Sequence, residues 1–579
     1  MKFSLAPLSL ALAGIVLMTS CGEPDSGSGQ QGSSASGKRH NVVFISLDSV
    51  RQDRLGIYGH KPEYAPNVEV TPNIDRLATE GVVFDECWAT SSWTLPSHMA
   101  AMTGLSDAAH GVVHDHIKLD PKRGTLAQHF QNAGYATAGF FSGPYLDAKY
   151  GFGKGFDYYA SGMMSEAELA GVLSKAAQEK AAQGGSPTLS EMEMIAIRDR
   201  VSHEDITSPR INELGMEFLD MHGEQPFFLF LHYFDAHYDH IPEKMEPGLG
   251  KKFDPNYSGN FSPDRWYFNP EVREVDAQNN RNARKINERD LGHIQAYYDA
   301  EIHWVDRHVG QVVKRLKELG VYENTIIAIV ADHGDEFFEH GSIGHRGSLW
   351  TEVCKIPLIL KLPNSPAPGK RVAQVVRMYD IAPSLADFAG LTAMPDVQGT
   401  SIRSLLNSST AASRDMISNL SSVMPASPGQ WKAQTQEAWR DERYTILRML
   451  QCKPFADRTD KFPTFSQVVA FRKVGGQGGS PYMFFDRQTD PMERTPLPLT
   501  HPGFAPALDR FVKESRRLQQ SQTVLSQSHP SERWAQAKTE EEIRTLIAMG
   551  YMEESEAKNQ AKVHLPAFAP YPVPLKTGF

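Results

Sequence analysis

Two short apolar runs in this chain end directly in polar side chains that suit metal chemistry. Asp48 follows NVVFISL, and Asp332 and His333 follow TIIAIVA. Two carboxylates and one imidazole, joined by the hydroxyl of Thr94, form a mixed oxygen and nitrogen donor set for a divalent cation. Such a cation lowers the pKa of a bound hydroxyl and neutralises an attacked anion. This set therefore predicts a metal-bound Thr94 that can act as a nucleophile.

Thr94 stands at the predicted start of a short helix. Pro96 is placed for the first helical turn, and Gly104 is placed for the end of the helix. Backbone N–H groups at a helix start favour a negatively charged oxygen or a bound anion. The position alone is a weak signal, and it gains weight from the carboxylates and the imidazole elsewhere in the chain.

The elements around these residues alternate between strands and helices. The runs before Asp48 and Asp332, and a third run, PFFLFL before His232, predict buried parallel strands. Apolar residues recur every three or four positions from Ile294 to Leu319, which predicts one amphipathic helix that stops at Gly320. This alternation predicts an α/β fold with a mainly parallel sheet and helices on both faces. Strands with polar turns after residue 395 predict a smaller C-terminal antiparallel subdomain.

Composition excludes some function classes. The chain has 579 residues, 40% hydrophobic and 22% charged, with a formal net charge of -10 and a pI near 6.1. These values are ordinary for a globular protein, and no basic stripe suggests a nucleic-acid partner.

The N-terminus predicts export and a lipid anchor. Lys2 precedes an apolar stretch that ends at LMTSC, so residues 1–20 resemble a bacterial lipoprotein signal peptide and Cys21 the lipidated residue. Residues 21–39 are rich in Gly and Ser and suit a flexible tether. We expect a membrane-anchored protein on the periplasmic or cell-surface side. The alternative is a plain secretory signal with a coincidental cysteine.

A larger set of segments resembles the sulfatase family of the alkaline-phosphatase superfamily. The segments are NVVFISLDSVRQDRLGIYG, TPNIDRLATEGVVF, SSWTLPSHMAAMTG, FFLFLHYFDAH, VADHGDEFFEHGSIGH and IPLILKLP. The resemblance implies an alkaline-phosphatase-like sheet, a catalytic domain at 40–395, and an α+β subdomain with a helical tail at 396–579. It also implies a hydrolase of sulfate or phosphate esters, with a small-molecule, glycan or lipid ester as substrate.

The resemblance also implies residue roles. Asp48, Asp332 and His333 would bind a divalent metal, and Thr94 would occupy the nucleophile position. His237 would contact the transferred group or the leaving oxygen, and His345 would lie across the pocket as a second electrophilic or acid group. Asp235 and His98 are weaker candidates. Asp235, His237 and His345 could together supply a second metal site. Asp335, beside the metal pair, is expected at the rim of the pocket.

Several positions depart from the family pattern. Thr94 stands where sulfatases usually have the Cys or Ser that is oxidised to formylglycine, so formylglycine is not expected here. Ser49 replaces a second Asp, and His98 replaces an Arg. The departures keep other functions open: a phosphodiesterase or phosphonate hydrolase, a phosphotransferase, or a non-catalytic metal- and glycan-binding relative.

Overall fold

A computed structural model describes residues 39–528 except 115–116, 191–192, 195–196, 198–200, 202–203, 238, 265, 267–271, 276–281, 408–413, 428–429 and 452–479. The predicted signal peptide, Cys21 and the tether up to residue 38 therefore lie outside the described residues. The end of the predicted helical tail, after residue 528, lies outside them as well.

An eight-stranded sheet and a separate four-stranded sheet dominate the described chain, and two short hairpins accompany them. The strands are β1 Asn41–Leu47, β2 Val82–Trp88, β3 Ala136–Phe141, β4 Tyr158–Ser161, β5 Phe227–Tyr233, β6 Arg273–Val275, β7 Asn282–Arg284, β8 Thr325–Ala331, β9 Glu336–Phe337, β10 Ile343–Gly344, β11 Lys355–Lys361, β12 Lys370–Arg377, β13 Met416–Ser427, β14 Gln430–Arg440, β15 Tyr444–Gln451 and β16 Tyr482–Asp486.

The described helices connect and flank these strands. They are α1 Pro72–Glu80, α2 Thr94–Thr103, α3 Asp107–His110, α4 Leu126–Asn132, α5 Glu166–Ala182, α6 Ser208–His222, α7 Pro242–Met245, α8 Leu249–Phe253, α9 Glu288–Glu318, α10 Thr351–Cys354, α11 Ile381–Phe388, α12 Arg403–Asn407 and α13 Phe504–Ser528.

The large sheet is mainly parallel, as the sequence predicts. Its strand order is β12-β2-β11-β8-β1-β5-β3-β4, and only β11 runs against the others. Strand β1 lies in the interior of the sheet, where Val42 pairs with Phe228 of β5 and with Ile326 of β8. All seven residues of β1 are buried, which explains its mainly apolar sequence.

The predicted long helix is α9, and its placement matters for the site. The Asn287 side chain caps its N-terminus by accepting a hydrogen bond from the Asp290 N–H at 2.9 Å. Gly320 follows its end with φ +70°, a conformation that glycine adopts without steric cost. The apolar face of α9 is buried, and this burial fixes Tyr298, whose hydroxyl reaches the turn after β1.

The smaller sheet is antiparallel throughout, in the order β13-β14-β15-β16, and α13 packs against β13 and β15. Its own core contains Trp439, Ile446, Phe484 and Phe511. This sheet also supports the segment before α2, because the Asn419 N–H donates to the carbonyl of Thr90 at 2.7 Å. The subdomain is confirmed as a separate antiparallel sheet, and the boundary between residues 395 and 396 stays a prediction.

Candidate active site

The carboxyl ends of three adjacent strands meet at the candidate site. Asp48 follows β1, Asp332 follows β8, and His232 lies near the end of β5. Because β8, β1 and β5 are neighbours with the same direction, their ends lie at one edge of the sheet. Asp48, Asp332 and His232 are all fully buried. The fold thus brings together polar side chains that lie far apart in the sequence.

The turn after β1 directs Asp48 into this site. Ser49 has φ +59°, in the left-handed region, and its N–H donates to Oδ1 of Asp332 at 3.1 Å. Its hydroxyl donates to Oδ1 of Asp48 at 2.9 Å, and its carbonyl accepts from the Tyr298 hydroxyl at 2.6 Å. The N–H, the hydroxyl and the carbonyl of this residue all form hydrogen bonds. A strained backbone conformation held in this way is typical of functional sites. Ser49 therefore fixes both carboxylates relative to each other.

Thr94 is the first residue of α2 and is buried. Its Oγ1 lies 3.4 Å from Oδ2 of Asp48 and 3.4 Å from Nε2 of His333. The sequence places Thr94 just before the helix, and the structure places it one position further in, with Trp93 as the N-cap. The hydroxyl still faces the carboxylate and the imidazole, so the predicted grouping of Thr94 with Asp48 and His333 is observed.

His333 presents one nitrogen to the cluster. Its Nδ1–H donates to the Gly334 carbonyl at 3.1 Å, because a carbonyl can only accept. Nε2 then carries the lone pair, and it lies 3.3 Å from Oδ2 of Asp332. Burial and the nearby His345 lower the pKa of His333 to about 3, so the ring is neutral and suited to bind a cation.

The residues fit a divalent cation. Asp48, Asp332 and His333 each direct one donor atom into a common space, with these atoms within 4.8 Å of one another. Oδ2 of Asp332 is buried and accepts no hydrogen bond among the described residues. Burial and the Asp48 charge raise the pKa of Asp332 well above its usual range. Two buried carboxylates with an unsatisfied oxygen are the arrangement that a cation compensates.

His232 is a member of the site that sequence reasoning did not assign. Its Nδ1 accepts the Ser142 N–H at 3.3 Å, so Nε2 carries the proton and donates to Oδ2 of Asp48 at 3.1 Å. Burial opposes ionisation of Asp48, but the His232 hydrogen bond and the neighbouring imidazoles bring the Asp48 pKa well below its usual range. The available signal was its place at the end of a predicted buried strand.

His98 lies on α2, four residues after Thr94. It is fully buried on α2, where Nδ1–H donates to the Thr94 carbonyl at 2.9 Å and Nε2 accepts from the Ser46 hydroxyl at 2.8 Å. Burial and the nearby His232 lower its pKa to about 3. Both nitrogens therefore have protein partners, and Nδ1 also lies 3.4 Å from Oδ2 of Asp332. The catalytic role of His98 stays a prediction.

Asp235 is also committed elsewhere. Its Oδ1 accepts the Thr207 N–H at 2.8 Å, and its Oδ2 accepts the Ser208 N–H at 2.9 Å and the Trp304 indole N–H at 3.0 Å. These bonds satisfy N–H groups at the start of α6 that have no partner within the helix. The predicted second metal site with Asp235 is therefore revised, because Asp235 caps a helix instead of facing the site.

His237 and His345 lie together beside the first cluster. Their ring centroids are 5.0 Å apart, and the His345 ring is 4.4 Å from that of His333. Asp335, expected at the rim, is fully buried instead, and it accepts the Nδ1–H of His345 at 2.7 Å. The three residues His333, Asp335 and His345 form a second group whose spacing could hold a metal ion.

Comparison with protein families identifies the family of this chain. The sulfatase family model matches residues 40–391, and a model for the C-terminal region of N-sulphoglucosamine sulphohydrolase matches residues 338–453. The first match covers more than half of the chain. The chain belongs to the sulfatase family, and it is an ester hydrolase by that membership.

Two curated relatives illustrate the level of similarity. An N-acetylglucosamine-6-O-sulfatase of Bacteroides thetaiotaomicron is 24% identical over 463 residues, which cover 70% of this chain and 76% of the relative. An arylsulfatase of Clostridium perfringens is 26% identical over 403 residues, which cover 65% of this chain and 80% of the relative.

Solved structures confirm the fold. The phosphonate monoester hydrolase of Agrobacterium radiobacter superposes with a TM-score of 0.57 at 21% identity, over 84% of this chain and 96% of that chain. A protein solved in complex with its substrate D-glucosamine-2-N,6-O-disulfate superposes with a TM-score of 0.54 at 18% identity, over 86% of this chain and 100% of that chain.

Proposed function

We propose that this protein is a metal-dependent hydrolase of sulfate or phosphate esters, with Thr94 as the nucleophile. The observation that carries the proposal is the position of the Thr94 hydroxyl, 3.4 Å from both the Asp48 carboxylate and the His333 imidazole. These are the neighbours that a metal-activated hydroxyl requires. A divalent cation held by Asp48, Asp332 and His333 would supply charge neutralisation and a lower hydroxyl pKa.

The protein's own residues prepare this chemistry. His232 and Ser49 orient Asp48, and Ser49 also orients Asp332 through its N–H. His98 holds the first turn of α2 through the Thr94 carbonyl. Fixed partners of this kind reduce the reorganisation that the reaction would otherwise need. His237 and His345, whose rings lie beside that of His333, are the proposed proton donors for the leaving oxygen.

The Thr94 side chain constrains the reaction course. A threonine cannot yield the aldehyde that lets a formylglycine enzyme release sulfate, so water must attack the covalent ester directly. This requirement favours substrates whose threonine ester hydrolyses readily in a metal site. Phosphodiesters and phosphonate monoesters are therefore the second candidate substrates, and the Thr94 hydroxyl is the observation that favours them.

The similar proteins support a substrate class. The curated relative from Bacteroides thetaiotaomicron is named for a sulfate on N-acetylglucosamine, and one solved relative binds a sulfated glucosamine. We extend this class to the present chain as a proposal, with a small-molecule or glycan ester as the substrate.

A substrate screen tests the proposal. Purified protein is loaded in turn with Mn²⁺, Zn²⁺, Mg²⁺ and Ca²⁺ and assayed with 4-nitrophenyl sulfate, phosphate, a phosphodiester and a phosphonate monoester. We expect turnover of at least one ester that is abolished by a chelator and restored by metal. Turnover that persists in the presence of the chelator would contradict the proposal. The absence of turnover of every ester with all four metals would contradict it as well.

We also propose that the protein is exported and anchored through lipid on Cys21, because a charged and then apolar leader ends at that cysteine. No helix in the described part of the chain is long and apolar enough to cross a membrane. The Cys21→Ser variant is expected to leave the membrane fraction. Retention of that variant in washed membranes would contradict the lipid anchor, and the wild-type chain fractionated in parallel is the control.

A further inference from the structure

A further group of side chains that can bind a metal shares no residue with the candidate active site. Glu336 of β9, His340 in the turn that follows and Glu352 of α10 each offer one donor atom, and these atoms lie within 4.8 Å of one another. Glu336 is only 1% exposed and Glu352 only 3%. We call these three residues the hairpin cluster, because two of them lie on the hairpin that β9 and β10 form.

Each carboxylate of the hairpin cluster has one buried oxygen without a hydrogen-bond partner in the described part of the chain. Oε1 of Glu336 accepts the Ser348 hydroxyl, and Oε1 of Glu352 contacts Nδ1 of His340 at 2.6 Å. Oε2 of both glutamates is left unsatisfied. A buried carboxylate oxygen without a partner is costly, so this cluster lacks a positively charged ligand.

The His340 ring is oriented as the ring of a metal-binding histidine is. Its Nε2–H donates to the Glu493 carbonyl at 3.1 Å, because a carbonyl can only accept. Histidines that bind metals commonly donate their second ring N–H in this way, which leaves the other nitrogen for the ion. That nitrogen is Nδ1, and its 2.6 Å contact with Glu352 needs a proton between the two atoms. A divalent ion can replace this proton and bind both atoms.

We propose that the hairpin cluster binds a divalent transition-metal ion of the Zn²⁺ type, at a site separate from the proposed catalytic metal. Two carboxylate oxygens and one imidazole nitrogen suit Zn²⁺, whereas Ca²⁺ and Mg²⁺ prefer oxygen ligands alone. With both carboxylates ionised and one proton bound, the cluster carries one negative charge, and exchange of that proton for the ion makes the cluster neutral. His340 also lines a cavity of about 750 Å³, through which the ion and a water ligand can enter.

The proposed site joins three parts of the chain. Glu336 belongs to β9 and Glu352 to α10, while His340 donates to Glu493, which follows β16 of the smaller sheet. Glu493 also accepts the Thr351 N–H at the start of α10, at 3.1 Å. A bound ion would therefore stabilise the contacts of the β9–β10 hairpin with α10 and with the smaller sheet. Its role is structural, and it does not depend on ester hydrolysis.

Metal content tests the site. Wild-type protein is stripped with a chelator, loaded with Zn²⁺, dialysed against metal-free buffer and analysed for bound zinc. Glu336→Gln should hold one equivalent less than wild type, because an amide does not balance the charge of the ion, and Glu352→Gln should show the same loss. Asp332→Asn should lose a different equivalent, so a double variant of Glu336 and Asp332 should lose both.

Trp350 supplies a second measurement that needs no change in a proposed ligand. Its ring stacks on the His340 ring, with centroids 3.9 Å apart and an interplanar angle of 9°. A Zn²⁺ ion bound to His340 changes the charge beside the indole, so Zn²⁺ should change the fluorescence of wild-type protein. Trp350→Phe should lose this part of the change and keep the wild-type zinc content.

The chain offers a matched control. His240 and Glu301 form another buried imidazole–carboxylate contact, with Nδ1 and Oε2 2.6 Å apart. Neither residue belongs to a possible metal-binding group among the described residues. Glu301→Gln should therefore keep the zinc content of wild type.

Three results would overturn the proposal. Wild-type zinc content in both Glu336→Gln and Glu352→Gln would mean that protons alone hold the hairpin cluster together. A double variant that loses no more zinc than Asp332→Asn would mean that the two clusters share one ion. A zinc response that is equal in wild type and Trp350→Phe would place the ion away from His340. Failure of the hydrolase proposal is distinct, since it would leave the zinc loss in Glu336→Gln unchanged.

Discussion

Replacing Thr94 with alanine is expected to lower kcat by about a thousandfold or more, which corresponds to about 4 kcal/mol of lost transition-state stabilisation. The alanine lacks the only hydroxyl that the structure places between Asp48 and His333 within the described site. Thr94→Ser should retain part of the turnover, because it keeps the oxygen and loses only a methyl group that restricts rotation. The measurement is steady-state kinetics with the ester that the wild-type protein prefers.

Metal content and folding are the controls for this variant, since a threonine at the start of α2 also contributes to packing. Elemental analysis should show the wild-type amount of metal in Thr94→Ala, because two carboxylates and an imidazole remain. Activity of wild-type protein should not depend on an aldehyde-forming maturation enzyme in the expression host. A Thr94→Ala rate within about tenfold of wild type, near 1.4 kcal/mol, would assign the direct attack to water.

The second large effect is expected for Asp332→Asn. This variant should lose bound metal and turnover together. The Asp332 carboxylate balances the charge of the cation, and a neutral amide cannot. Its metal-free form should unfold at a temperature no lower than that of metal-free wild type, since the Asp48 charge no longer opposes a second buried carboxylate. Added metal should raise the melting temperature of wild type more than that of the variant.

Asp235→Asn is the matched control, because it removes a carboxylate near the site that does not face the metal. Its amide nitrogen would meet N–H donors of Ser208 and Trp304, so we expect a loss of stability of about 2 kcal/mol. Its metal content should stay at the wild-type level. A wild-type metal content in Asp332→Asn would contradict the role that we assign to Asp332. A reduced metal content in Asp235→Asn would contradict the role that we assign to Asp235.

The sequence was sufficient for the parts of the site that depend on local signals. Asp48, Asp332 and His333 directly follow apolar strands, and a parallel sheet brings such strand ends to one edge. The long helix α9 could also be predicted from the sequence, because its apolar residues recur at helical spacing and a glycine follows its end. These features need no knowledge of distant contacts.

The sequence was not sufficient where a side chain's partner comes from a distant segment. Asp235 looks like a ligand beside His237, yet its hydrogen bonds go to Thr207 and Ser208 at the start of α6. Asp335 looks like a rim residue until the short hairpin β9–β10 turns the chain back and places His345 against it. The residue type shows which interactions a polar side chain can form. The packing of distant segments decides which partner it contacts.

The interior position of β1 has a consequence for biosynthesis. This strand emerges from the ribosome first among those of the sheet, but its neighbours are β5 and β8, of which β8 begins only at Thr325. Until that segment has been made, one side of a mainly apolar strand has no native partner, and such pairing between distant segments is slow to form. The Asp48 and Asp332 carboxylates can therefore meet only after more than half of the chain has been made, because Asp332 follows β8.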